Sequence, residues 1–326
     1  MRKPVSVIPA ALAALFMLTA AGHVSAQAYP SKPVRLVIGF APGGGSDIAA
    51  RIVVKRFTEY LGQPVVIDNK AGAGGNIATE FVAKAAPDGY TLLVGSIGPL
   101  AISPSLYKEL GFDPMRDLAP VSLMSVFSNV LVVHPSVQVN SVREFVALTK
   151  AAPGKIFYGS SGNAGAGHLA GELFRSLTGA SISHVAYKGG GPAMTDLLAG
   201  QVQAVFATTP TAIPHIKAGK LRALGVTSSK RVAALAEVPT IAEAGVPGYE
   251  ASNWYTLNAP AKTPREILAK LHKDFVAALA HPEVIAALAN QGMEPAPSTP
   301  EELSAHMRAE REKWARVIRD AGIVAQ

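Results

Sequence analysis

Cysteine is absent from all 326 residues. That excludes disulfides, thiolate nucleophiles, zinc–sulfur sites and an acylated N-terminal cysteine. Charged residues are scarce too, at 16% against 49% hydrophobic, so the chain can bury one large core or two ordinary ones. No Lys/Arg run and no aromatic-basic interleaving occurs, so no nucleic-acid partner is expected. The histidines at 134, 168, 184, 215, 272, 281 and 306 show no H-E-x-x-H or other metal spacing, and no metal is expected. Gly43-Gly44-Gly45 is followed by Ile48, and Gly72-Ala73-Gly74 by Ile77, where a dinucleotide fingerprint needs its third glycine. A Walker loop is missing as well, so no cofactor is expected.

Long hydrophobic runs are confined to the N-terminus. Arg2 and Lys3 precede the uncharged run Val5 to Gly22, and Val24-Ser25-Ala26 places small residues at a cleavage site. Residues 1–26 therefore read as a secretory signal peptide, with an uncleaved anchor as the competing reading. Cleavage would leave an exported, periplasmic protein starting at Gln27. Removing Arg2 and Lys3 lowers the formal net charge from +7 to +5, which suits an anionic small molecule and ordinary solubility equally.

Glycine and proline are plentiful, at 30 and 24. They punctuate strand-like runs alternating with helical patterns: "VRLVIGF" then Asp47 to Leu61, "PVVIDN" then Asn76 to Ala86, then "YTLLVGS". This is βαβ grammar, and a parallel sheet follows. The rhythm breaks at Leu118 to Pro135, two extended apolar runs without a helix between them, and restarts with four further strands. A second extended segment, Gly248 to Pro260, leads into helices only, from Thr263 to about Asn290 and from Thr299 to about Ala321. Those helices need a sheet to cover, so the expected domains are a discontinuous lobe 1 (27–128 and 252–326) and an inserted lobe 2 (129–251). Ser141-x-x-Glu144, Thr263-Pro264-Arg265-Glu266 and Thr299-Pro300-Glu301-Glu302 read as capping boxes.

Four strand-to-helix junctions are rich in small residues: "FAPGGGSD", "NKAGAGGN", "GSSGNAGAGH" and "YKGGGP". The first turn of a helix leaves backbone N–H groups unpaired, and glycine lets a ligand approach them. Such a junction holds an anion without arginine. A carboxylate at the carboxyl ends of the strands, between two facing lobes, is what remains. Serine chemistry is the opposing reading: Gly159-Ser160-Ser161-Gly162-Asn163 misses the G-x-S-x-G elbow by one residue, with His168 as a nearby base or a structural histidine.

Seven segments in series carry a resemblance: "FAPGGGSDIAAR", "NKAGAGGNIA", "APDGYTLLVGS", "YGSSGNAGAGHLAGELF", "HVAYKGGGPAMTDLLAGQV", "PHIKAGKLRALGVTS" and "VPTIAEAGVPGYEASNWY". The chain resembles the solute receptors of tripartite tricarboxylate transporters, the Bug family of periplasmic binding proteins. The resemblance implies an α/β, two-lobed periplasmic binding fold of the type II-like kind, each lobe a mostly parallel sheet flanked by helices. It implies a non-catalytic monomer that closes on a small organic carboxylate and hands it to the membrane permease subunits. By position, one pincer is Phe40, Ala41, Pro42, Gly43, Gly44, Ser46 and Asp47. The other is Gly159, Ser160, Ser161, Gly162 and Asn163, with His168 beside it and Ser96, Tyr187, Thr208 and Thr209 shaping the remaining wall. Asp47 is expected to serve as dipole partner to its own helix, and Trp254 is either hinge packing or wall.

Ala71 and Ala186 stand where many members have proline, and Ala207-Thr208-Thr209 where many have an aspartate-bearing strand end. Loss of that acid would suit a ligand with an extra carboxylate, so Ala207→Asp should weaken a di- or tricarboxylate. A periplasmic sensor module and a hydrolase using Ser161 and His168 are the alternative functions.

Overall fold

Residues 29–324 are described by a computed structural model; the expected signal peptide, 1–26, lies outside them. The first βαβ series runs β1 (Val34–Ile38), α1 (Gly45–Leu61), β2 (Val65–Asn69), α2 (Asn76–Ala83) and β3 (Thr91–Ser96), with β1 parallel to both β2 and β3. A π-helical turn (Gly98–Ile102), α3 (Ser103–Leu106) and α4 (Pro114–Asp117) then lead to β4 (Leu118–Val133). The second series is α5 (Val142–Ala151), β5 (Ile156–Ser160), α6 (Ala166–Thr178), β6 (Ile182–Ala186), α7 (Gly190–Leu198), β7 (Ala204–Thr208), α8 (Thr209–Lys217) and β8 (Arg222–Val226). The chain returns through β9 (Ser252–Pro260) and ends with α9 (Arg265–Leu279), α10 (Pro282–Asn290), β10 (Met293–Pro295) and α11 (Pro300–Asp320).

Strand alternation decides what covers each face. Leu36 and Ile38 of β1 join the apolar cluster of α1 and α9, where Phe57 meets Phe275 edge-on at 5.2 Å, while Val37 between them faces Ala78, Val82 and Trp314. In the second sheet, Ala204 and Phe206 face Leu169 and Phe174 of α6, and Val205 and Ala207 face Met194, Leu197 and Ile213. Each sheet is thus helix-covered on both faces, as parallel strands require.

The strand order is β2-β1-β3-β9-β4-β7-β5-β6. β4 is one continuous strand where two apolar runs were expected, and it changes partners midway. Leu118 to Ser128 pair with β9, whereas Asn129 to Val133 pair with β7. A buried polar knot sits at the change: Thr227 Oγ1 donates to Ala251 O and accepts from Asn129 N, and Thr227 N donates to Ser128 Oγ.

Three local expectations are corrected. Pro282 breaks the helix expected from Thr263 to Asn290 into α9 and α10, since proline cannot donate within a helix. The stretch after Pro260 contains β10, which pairs with Ser125 to Phe127 of β4. The Thr263 capping box does not form, because Thr263 Oγ1 donates to Pro260 O and the N-cap is Pro264.

Candidate functional site

Helix starts fall into two groups. α4, α5, α10 and α11 carry side-chain caps from Asp113, Ser141, His281 and Thr299, the last a full capping box. α1, α2, α3, α6, α7, α8 and α9 carry none, and in α1, α6, α7 and α8 the N-cap positions are Gly44, Gly165, Gly189 and Thr208. Those four uncapped starts meet at one cavity. Gly44, Gly45 and Ser46 line it from α1, Gly165 and Ala166 from α6, Gly190 from α7 and Thr208 from α8. Phe40, Ser96, Ile97, Gly98, Ser161, Asn253 and Tyr255 close the rest. No lining side chain is charged, and the water-accessible core measures about 30 Å³. Partial positive charge from four helix dipoles therefore converges on a lining without charged side chains, Asp47 in the first turn of α1 lying outside that lining. Ser46 Oγ, on a residue only 1% exposed, has no hydrogen-bond partner.

The two lobes touch around this cavity. Ala41 N donates to Lys188 O at 3.0 Å. Gly74 lies so close to Asn163 that a Cβ there would stand 2.1 Å from its carbonyl oxygen. The conformation is closed.

Of the positions predicted from sequence, Phe40, Gly44, Ser46, Ser96, Ser161 and Thr208 line the cavity. Ala41, Pro42, Gly43, Asp47, Gly159, Ser160, Gly162, Asn163, His168, Tyr187 and Thr209 do not. Ser160 Oγ accepts from Gly162 N and lies 2.7 Å from His184 Nε2, so it folds its own turn. Tyr187 Oη donates to Asp196, and Thr209 Oγ1 to Gly292 O. Burial pushes the Tyr187 phenol, helped by Asp196, up to about 12.

Asp47 is 3% exposed and fully engaged. Its carboxylate accepts from Gly43 N, Arg51 Nε and Nη2, and Asn69 Nδ2, and Asn69 also donates to Phe40 O. Burial alone would raise its pKa. The Arg51, Gly43 and Asn69 bonds outweigh that and hold it below the ordinary carboxylate value. The charge is thereby spent on shaping the 40–47 loop and on Arg51.

His168 is fully buried and stacks on His184 at 4.2 Å. Its Nδ1 accepts from Ala164 N, so the proton of the neutral ring sits on Nε2, which has no partner. Burial, with His184 and Arg175 adding, lowers its pKa to about 3. Neither ring nitrogen reaches Ser161, so the base that the hydrolase reading needs is not assembled.

Two other sequence readings are changed. Ala207 sits in the apolar core of the second sheet and not at the cavity, which Thr208 reaches instead. An aspartate at 207 would bury a charge in that core, so its effect there would be on folding. Trp254 is 1% exposed and donates from Nε1 to Glu310 on α11, which makes it packing against a helix. Sequence reasoning missed Gly45, Ile97, Gly98, Gly165, Ala166, Gly190, Asn253 and Tyr255. Gly45 and Gly190 belong to quoted glycine turns, and the helix-start argument could have found them. Asn253 and Tyr255 had no local signal.

Comparison with known proteins adds four findings. The family model described as tripartite tricarboxylate transporter family receptor matches residues 49–323. Protein BugT of Bordetella pertussis is 40% identical over 315 residues, spanning 96% of this chain and 97% of that protein. Among solved structures, R. palustris Rpa4515 with adipate is similar at a TM-score of 0.88 and 40% identity, covering 91% of this chain and 99% of that one. MatC (Rpa3494) from Rhodopseudomonas palustris with bound malate is similar at 0.85 and 31%, covering 89% and 100%.

Proposed function

Because the chain belongs to the tripartite tricarboxylate transporter receptor family, we propose that it captures a small organic carboxylate between its lobes and delivers it to the membrane subunits of such a transporter. It acts as an extracytoplasmic solute receptor. One observation carries the reading: four helix N-termini without side-chain caps surround an uncharged cavity at the carboxyl ends of the strands. An anion supplies the acceptors that the missing caps withhold. Hydrogen bonds to a charged group contribute about 1.5–3 kcal/mol each, and micromolar binding needs about 8 kcal/mol, so a few amides suffice after ordering costs.

In this reading the lobes are 27–128 with 252–326, and 129–251, joined where β4 changes partners and where β9 begins. Ser161 and the α6 start oppose Phe40 and the α1 start across the ligand, while Asp47, Ser160 and His168 hold the two loops in shape. The chain works as a monomer exported through cleavage before Gln27, and it releases its ligand without chemistry.

The test is thermal unfolding of the protein from Gln27, freed of ligand by unfolding and refolding, against di-, tri- and aromatic carboxylates, amino acids and sugars. Ligand at about 100 times its Kd adds roughly 2.7 kcal/mol. At about 2–4 °C per kcal/mol, the melting point should rise by several degrees with one acid class. A flat response to every carboxylate would sink the reading.

A further inference from the structure

The first-turn amides explain how one carboxylate is gripped; they leave unexplained a phenol that overhangs the first residue of α1. Tyr255, on β9, is only 4% exposed, and its ring packs on Phe127 at 4.5 Å. Tyr255 lines the cavity, its hydroxyl lies beside Gly45, and no side-chain hydrogen bond of that hydroxyl is formed among the described residues. Burial holds the phenol neutral by raising its pKa far above the ordinary value. The hydroxyl opens on the cavity, so a group from outside the chain can complete it there.

Thr208 approaches the same point. A Cβ on Gly45 would stand 2.6 Å from Thr208 Oγ1 and 2.7 Å from Tyr255 Oη, so both oxygens overhang the first residue of α1. Their hydrogen-bonding roles differ. Thr211 has one hydroxyl hydrogen and donates it to Thr208 O at 2.8 Å. The 3.0 Å bond between the two threonine hydroxyls is then donated by Thr208. Thr208 Oγ1 consequently turns lone pairs to the cavity, while Tyr255 Oη offers a proton. A second carboxylate oxygen suits only the tyrosine and meets the threonine lone pairs unfavourably. An alcohol accepts from one and donates to the other.

Resting on the carboxylate-receptor reading above, we propose that Tyr255 and Thr208 form a hydroxyl-selecting subsite, which makes the ligand a hydroxycarboxylate. The subsite draws on all three parts of the cavity, with Tyr255 from the returning strand, Thr208 from the second sheet and Gly45 from the first. A ligand hydroxyl therefore bridges the lobes in the closed form alone.

Calorimetric titration of the protein from Gln27 with paired probes, malate against succinate and citrate against tricarballylate, tests this. The wild type should bind the hydroxylated member of at least one pair about tenfold or more tightly than its partner. Tyr255→Phe removes the donor and Thr208→Val the acceptor, each at nearly constant volume. Either should bring the ratio within about threefold, chiefly by weakening the hydroxylated member. Ligand-free melting curves establish that the variants are folded, and Thr208→Val decides alone if Tyr255→Phe does not fold. Equal binding of both members by the wild type, or a ratio that survives in a folded variant, overturns the subsite and leaves the receptor standing. If no carboxylate binds the wild type, the receptor reading falls and the subsite with it.

Discussion

Ala164 shows how one side chain can hold a strained loop in place. Its φ of 57° lies in the left-handed region, which costs a residue with a Cβ about 1–2 kcal/mol, and its amide donates to His168 Nδ1. The bond requires a neutral imidazole. Since the folded pKa of about 3 lies below the ordinary 6.5, protons bind the unfolded chain more readily. Stability from this group is complete above pH 6.5 and falls as pH drops towards 3. Between pH 7 and 5 the loss should be about 2 kcal/mol. His168→Asn keeps an acceptor and does not titrate, so its melting point should fall less over that range. Equal slopes in wild type and variant would refute the assignment. Sequence could point to the Ser160-Ser161 loop but could not separate the two hydroxyls. Ser160 ends β5 and Ser161 starts the turn, and only the three-dimensional partner, His184, shows that the first is spent internally. Tyr255 was illegible for a similar reason: within "SNWYTLNAP" it reads as one more apolar strand residue, and its meaning comes from Gly45 and Thr208, some 210 and 47 positions away in the sequence.

Among the elements, the helices with side-chain caps all start away from the cavity. α11 starts with Thr299 Oγ1 accepting from Glu302 N while Glu302 returns a bond to Thr299 N. Thr299→Ala should therefore cost about 1 kcal/mol and lower the melting point by about 2–4 °C, with ligand affinity unchanged. A shift in affinity would mean that α11 is coupled to the cavity. Thr263→Ala tests a different bond, because that hydroxyl ties a turn and caps nothing. The elements themselves were largely legible. The switch between periods of 2 and 3.6 places most of the strands and helices, and glycine turns mark their junctions. What patterning could not supply was pairing. That β4 serves both sheets, or that β10 docks on it, depends on long-range register and leaves no trace in local composition.

Across the whole molecule, closure depends on backbone meeting backbone. Gly74, at φ 63°, sits against the Asn163 carbonyl, where a Cβ would come within 2.1 Å. Gly74→Ala should cost about 1–2 kcal/mol of stability through its left-handed conformation. Its larger effect should be on ligand binding, weakened tenfold or more, with the ligand-induced contraction in small-angle scattering lost. Wild-type contraction and affinity in the variant would show that closure brings these loops less close. The helix starts around the cavity have one more consequence, for how such receptors diversify. In the proposed receptor their grip on an anion is made by peptide groups, which every residue except proline supplies, so substitutions that leave the backbone path intact keep it, whereas a Cβ at Gly45 would collide with Thr208 and Tyr255. Heritable change in ligand is left to a few side chains, Ser46, Ser161, Thr208, Asn253 and Tyr255 among them, and a lineage can exchange one acid for another while never losing its hold on acids.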